Sequence, residues 1–261
     1  MKRLTRITTA VAFACVASAA DASLIDRGNG LIYDDVLNIT WLQDAHLAST
    51  ISFGVSGIAD GSALYDPAGS MTWDTSKLWI DAMNAANYKG FSTWRLPTVQ
   101  PVNGVSFQYD VSYDGSTDRG FNNYSLSNPS QNELAYLYYV ELGNLGLCDS
   151  TNAVNSPVDS CSQNTGWGLV NTGPFSNFDV GRYWTGTHST QLDGEGFVQQ
   201  RAFDLDANFG EMGTGATSGY KYAWAVINGD VGLAAVPIPA AGWLLGSGIF
   251  GLAALGKRNR R

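Results

Sequence analysis

The sequence has little of what enzymes and nucleic-acid binders need. Among 261 residues there are 2 histidines, and neither His46 nor His188 sits in an H-E-x-x-H or similar metal-binding arrangement. No G-x-S-x-G elbow occurs, which excludes the nucleophile turn of the α/β-hydrolases. A Ser-His-Asp set could be drawn only from dispersed residues, with no spacing to single one out. Catalysis is therefore not expected. Positive charge is scarce too, with 15 Lys and Arg against 23 Asp and Glu and a formal net charge of -8. Nearly half of the basic residues lie at the two ends, so the middle of the chain is more acidic still. Such a balance repels phosphate backbones, and nucleic acid is not an expected partner.

Cysteine is nearly absent, at 3 residues. Cys15 lies in an apolar leader, where Ala12-Phe13-Ala14 lacks the Leu of a lipoprotein cleavage site. Cys148 and Cys161 remain, and in an oxidising compartment they suit one disulfide worth about 3 kcal/mol on the chain-entropy model. A zinc site is the rival reading, but two Cys with no nearby His give too few ligands.

The ends read as targeting segments. Residues 1–22 have Lys2, Arg3 and Arg6, an apolar run from Ala10 to Ala17, and an Ala20-Asp21-Ala22 exit, with Ala17-Ser18-Ala19 as a competing cut. That is the pattern of a secretory signal peptide. An uncleaved anchor is the alternative, but the run is too short for roughly 30 Å of hydrocarbon. At the other end, Val236-Pro237-Ile238-Pro239 precedes an uncharged run, Ala240 to Leu255, and then Lys257, Arg258, Arg260 and Arg261. As a helix the run reaches about 24 Å. Trp243 at one interface and the long basic side chains at the other would complete a membrane span with the tail inside the cell. A buried C-terminal core helix is the alternative, and it leaves the basic cluster unexplained.

Between the ends, 30 Gly, 12% aromatic and 15% charged residues describe a β-rich exported domain. Two helices are expected. Thr72 to Ala86 carries Leu78, Ile80, Ala82, Met83 and Ala86, with Asp74 or Thr75 as cap. Ser130 to Leu142 carries Leu134, Leu137, Tyr138 and Glu141, with Ser130 and Glu133 as a capping box and Gly143 as the stop. Strands are expected at Leu31 to Asp34, Leu37 to Leu42, Tyr183 to Thr187, Phe197 to Leu205 and Tyr222 to Ile227. Strands in runs with helices between them imply an α+β fold with an antiparallel sheet. Pro101 to Asn128 and Asp149 to Asn177 read as long excursions, the kind of loop that carries function or moves.

The C-terminal residues Val236, Pro237, Pro239 and Ala240, followed by the apolar run and the Arg-rich end, resemble the PEP-CTERM sorting signal of Gram-negative bacteria in its Val-Pro-x-Pro-Ala variant. That resemblance implies an exosortase-type processing enzyme as partner, membrane contact through residues 240–255, and an envelope or matrix destination. The body of the chain resembles the Lcl C-terminal domain family. The residues that carry the likeness are Gly30 to Asp34 with Thr40-Trp41-Leu42, then Thr93 to Thr98, then Asn132-Glu133-Leu134 with Tyr138-Tyr139, then Tyr183 to Thr187 with Ala223 to Val226. The family implies a fold similar to C-type lectins and formylglycine-generating enzymes. The cysteines through which those enzymes work have no counterpart in Arg201 to Ile227. Residues 99–129 are an insertion relative to the family's usual passage from the Leu-Pro-Thr turn to the Glu-Leu helix. The domains are thus 1–22 leader, 23–235 folded domain and 236–261 sorting segment.

Within the motifs, Trp41, Trp94, Trp184 and Trp224 read as core, each able to bury up to about 250 Å². Pro97 ends the segment before it, and Arg95 is expected to pair with a carboxylate or cap carbonyls, with ligand binding as the alternative. No cofactor is required. Ca²⁺ enters through Asp110, Asp114 and Asp118 in an oxygen-rich loop and Asp204 with Asp206 on one strand face, although neither the Glu-Pro-Asn nor the Trp-Asn-Asp motif of calcium-dependent lectins is present. Two function classes follow. One is a non-enzymatic binding module for glycan or extracellular polysaccharide, and the other is a structural envelope protein without a small ligand. A divergent enzyme related to the formylglycine-generating group is the third and weakest reading.

Overall fold

A computed structural model describes residues 24–63, 66–153, 157, 160–192 and 195–232. The leader and the sorting segment, with Val236, Pro237, Pro239, Ala240 and the apolar run, lie outside the described residues. Among the described residues no helix is long and apolar enough to cross a membrane.

The chain is α+β. Strand β1 (Leu24–Gly28) turns into β2 (Leu31–Asp34) through Asn29 and Gly30, both at positive φ (53° and 71°). Asn-Gly is the pair that a tight hairpin of this hand requires. Next, Asp34 accepts the backbone N–H groups of Val36 and Leu37, closing the turn into β3 (Ile39–Leu42). Strand β10 (Val226–Asn228) pairs antiparallel with β3, giving a four-stranded sheet of order β1-β2-β3-β10.

A second sheet has six strands. Its centre is the antiparallel set β6 (Arg182–His188), β7 (Arg201–Asp206) and β8 (Glu211–Ala216). Short strands β4 (Val111–Ser112) and β5 (Arg119–Gly120) extend one edge, and β9 (Tyr222–Ala223) pairs parallel with β6 at the other. The expected strand Tyr222 to Ile227 is therefore two strands in two sheets, since the chain changes sheet at Trp224-Ala225. Trp224 fills that corner, with the rings of Trp41, Phe175 and Phe178 at 5.0, 4.9 and 4.9 Å. The expected strand Phe197 to Leu205 begins at Arg201, because the preceding residues form a loop bridged by Leu192 and Val198.

Helix α1 (Trp73–Ala85) packs on this frame with Trp73, Trp79, Ile80 and Met83 buried. Its cap is Thr72, whose hydroxyl accepts the N–H of Thr75, rather than Asp74 or Thr75. Leu78, expected inside, is 58% exposed, while the adjacent Trp79 is buried in its place. Helix α2 (Glu133–Tyr136) runs on as a π-helical turn, Leu137–Glu141. Asn132 caps it by accepting from Ala135, so the box expected from Ser130 and Glu133 does not form. Gly143, at φ 64°, supplies the left-handed residue just beyond the segment.

The four motif tryptophans are buried, and every indole N–H has an acceptor: Asp34 for Trp41, Tyr88 O for Trp94, Met71 O for Trp184 and Leu42 O for Trp224. An apolar core thus binds together elements far apart in sequence at no cost in unpaired donors.

Candidate functional site

The two long excursions fold against each other. In the first, Gly120 has φ 108°, and a Cβ there would lie 1.9 Å from Ser112 O, so no other residue fits beside β4. Asp118 is buried, and its two oxygens accept the N–H groups of Val102 and Gln108, each at 2.7 Å. Burial nevertheless raises its pKa above the ordinary Asp value. In the second excursion, Cys148 and Cys161 are joined in a disulfide, as their spacing implied. Around it lies a satellite core in which Tyr113 stacks on Phe121 with centroids 5.6 Å apart, and Leu147 and Cys148 are buried beside them. Trp167 and Phe209 pack on that core from the far side. The insertion 99–129 and the disulfide loop therefore share one apolar cluster, and neither is independent padding.

Between them is an open cleft of about 620 Å³. The insertion contributes Asp114, Asn122, Tyr124 and the Ser125-Leu126-Ser127 run. The other wall comes from Leu145, Asp149, Ser150 and Asn164. Tyr124 is held by the ring of Tyr139, 5.4 Å away. Leu126 is 72% exposed at the rim. The lining thus combines one aromatic ring, two leucines, two carboxylates, amides and hydroxyls.

The Ca²⁺ candidates do not converge. Asp110 is exposed, Asp114 lines the cleft and Asp118 is spent on backbone donors. Asp204 and Asp206 do share a face of β7, but cations already hold them: Arg182 reaches Asp204 at 2.8 Å and Asp206 at 3.0 Å, and Lys221 reaches Asp204 at 3.1 Å. Among the described residues no group of three or more His, Cys, Asp or Glu is placed to hold a metal ion. Lys221 also lies 3.7 Å from the ring centre of Trp184 and over Gly215, where a Cβ would come within 1.6 Å of its Nζ. Burial lowers its pKa despite the Asp204 carboxylate.

The remaining candidates are scaffold. His46 Nε2 lies 2.6 Å from Tyr183 Oη, and its ring stacks on Tyr222 at 3.7 Å; desolvation lowers its pKa. His188 packs against Trp73, with centroids 5.3 Å apart. Arg95 forms a two-pronged pair with Glu133 and also donates to Asn228, as a structural Arg would.

Sequence reasoning passed over Glu141 and Asp34. Both oxygens of Glu141 are buried without a protein hydrogen-bond partner, and desolvation with the nearby charges of Asp34 and Asp35 raises its pKa to about 8. Asp34 is itself raised to about 6, chiefly by burial. The signal available in sequence was Glu141 at the apolar end of a helical pattern.

Comparison with known proteins gives one family. The model of the Lcl C-terminal domain matches residues 30–227, a span that takes in the six-stranded sheet, strands β2 and β3, both helices and both excursions. No curated protein and no solved structure matches the chain.

Proposed function

The chain belongs to the Lcl C-terminal domain family, and from that premise we propose that it is an exported, non-enzymatic binding module for extracellular polysaccharide. The observation that carries the reading is the cleft: two loops absent from the regular frame share one apolar cluster, the second of them is closed on itself by a disulfide, and they flank a lining of Tyr, Asn, Ser, Asp and Leu. Loops held rigid on a scaffold are where binding sites are built. The C-type-lectin likeness implied by the family resemblance belongs to the same reading.

Delivery follows from the ends of the sequence. The leader directs export, and residues 236–240 direct an exosortase-type enzyme to a chain held in the inner membrane of a Gram-negative cell through residues 240–255. The mass of the mature C-terminus tests this part. An end near Val236 to Ala240 supports processing, and an intact basic tail overturns it.

For binding, the purified chain is passed over a panel of immobilised polysaccharides with calcium and with chelator. Retention on at least one polymer, reduced by Tyr124→Ala, is the expected result. Failure to bind any polymer in either condition overturns the reading in favour of a structural envelope protein.

A further inference from the structure

The lining of the cleft is one-sided in charge. It holds two carboxylates, Asp114 and Asp149, one from each excursion, and no Lys, Arg or His. The Oδ1 of Asp114 accepts the N–H of Ser116 at 3.0 Å. That of Asp149 accepts the N–H and hydroxyl of Thr151 at 2.9 and 2.5 Å. Asn152 Nδ2 donates to the same Asp149 oxygen at 3.3 Å. Hydrogen bonds from Ser116 hold the Asp114 carboxyl below the usual carboxylate range, so it is charged at neutral pH.

The amides beside them are anchored to the backbone. Asn122 donates its Nδ2 to Tyr113 O at 2.7 Å, and Asn164 donates its Nδ2 to Gly146 O at 2.9 Å. Each amide thus spends one of its two N–H donors on the protein's own backbone, and its Oδ1 remains an acceptor. The hydroxyls of Ser125 and Ser127 bond to each other at 3.1 Å. The amides and hydroxyls of the lining can both donate and accept, and its formal charges are the two carboxylates. Such a lining matches a positively charged donor and repels carboxylate or sulfate groups.

We propose that the cleft selects polysaccharide with free amino groups, a polymer of de-N-acetylated hexosamine, over neutral and acidic polymers. The inference rests on the polysaccharide reading above and narrows it to one chemical class. An ammonium group offers three donors to the two carboxylates and the amide oxygens, while Tyr124, Leu126 and Leu145 supply apolar surface for the C–H face of the sugar ring. The overall charge of -8 adds long-range attraction for a polycation.

The test is calorimetric titration of the full-length chain with three oligomers of equal length, glucosamine, N-acetylglucosamine and galacturonate, at a pH where the amines are charged. The glucosamine oligomer is expected to bind about tenfold tighter than the acetylated one and to weaken as salt is raised. The double variant Asp114→Asn with Asp149→Asn is expected to remove that preference. Asp74→Asn, which removes one charge from α1 outside the cleft, is expected to keep it. Equal or tighter binding of the N-acetyl or galacturonate oligomer overturns the inference and leaves the polysaccharide reading standing. So does a preference that survives the double variant, or one that Asp74→Asn removes as fully. Calcium-dependent binding of the neutral oligomer also overturns it, because a metal would then occupy the carboxylates. Binding of none of the three oligomers, with other polymers of the panel retained, overturns the inference alone; no binding to any polymer sinks both.

Discussion

Arg95 and Glu133 meet fork to fork, each terminal nitrogen of the guanidinium lying 2.7 Å from one carboxylate oxygen. Glu133 also accepts the N–H of Thr98, and the backbone of Arg95 bridges to Val226 in β10. One pair therefore ties the Trp-Arg-Leu-Pro-Thr segment, helix α2 and the four-stranded sheet together. Removing the buried acid leaves Arg95 without its counter-charge. Glu133→Ala is expected to lower unfolding free energy by about 3 kcal/mol in chemical denaturation. Arg95→Lys, which keeps charge but loses the fork, is expected to cost less than Glu133→Ala.

Glu141 makes stability depend on pH. Its pKa rises from 4.5 in the unfolded chain to about 8 in the fold, so the folded state holds a proton that the unfolded state releases. Its contribution is fully present below the unfolded value and is lost as pH rises towards about 8. Asp34 acts in the same sense up to about pH 6. The melting temperature is expected to fall between pH 5 and pH 8. Glu141→Gln is expected to flatten that slope and to stabilise by about 1 kcal/mol at pH 8, a figure discounted for the partial exposure of the residue. A slope unchanged by the substitution would show that Glu141 is solvated.

The disulfide secures the cleft more than the core. Cys148→Ala with Cys161→Ala is expected to cost about 2–3 kcal/mol. Its larger effect is expected on binding, since the loop bearing Asp149 and Ser150 loses its closure beside the satellite core. Thermal melts and polysaccharide retention with and without reductant separate the two effects.

Gly215 is fixed by its neighbour across the sheet. Gly215→Ala must displace the Lys221 ammonium from Asp204, with an expected loss of about 2–4 kcal/mol. If Lys221 simply swings into solvent, the loss will be under about 1 kcal/mol in the same denaturation experiment.

The frame was legible in sequence where burial and periodicity agree. The four motif tryptophans, helix α1 and the Arg95 pairing needed only apolar spacing and the cost of burying a charge. Strand β8, Glu211–Ala216, was not legible, because Gly213 and Gly215 stand where a strand pattern would show side chains. Their smallness has its reason in Arg182 from β6 and Lys221 just before β9, whose side chains cross that face. The cap at Asn132 was missed for a related reason: Glu133, the partner Ser130 needed for a box, is held by Arg95 from outside the helix. The cleft was the least legible part. Residues 101–128 and 149–177 have no periodicity, and they come together through Tyr113, Phe121 and Leu147, which lie up to 34 positions apart in the chain. Such a junction is a property of contacts between excursions and leaves no local pattern.

The clasp between the first strand and the last described residues has a mechanical side. Arg27 in β1 holds Asp230 at 2.6 Å, and the backbone at Gly232 passes so close to the Arg27 side chain that a Cβ there would lie 2.0 Å from its Cβ. Entry and exit of the folded domain are thereby stapled side by side. A pull on the chain leaving β10 would therefore be shared with β1 through that staple before the edge of the sheet could peel.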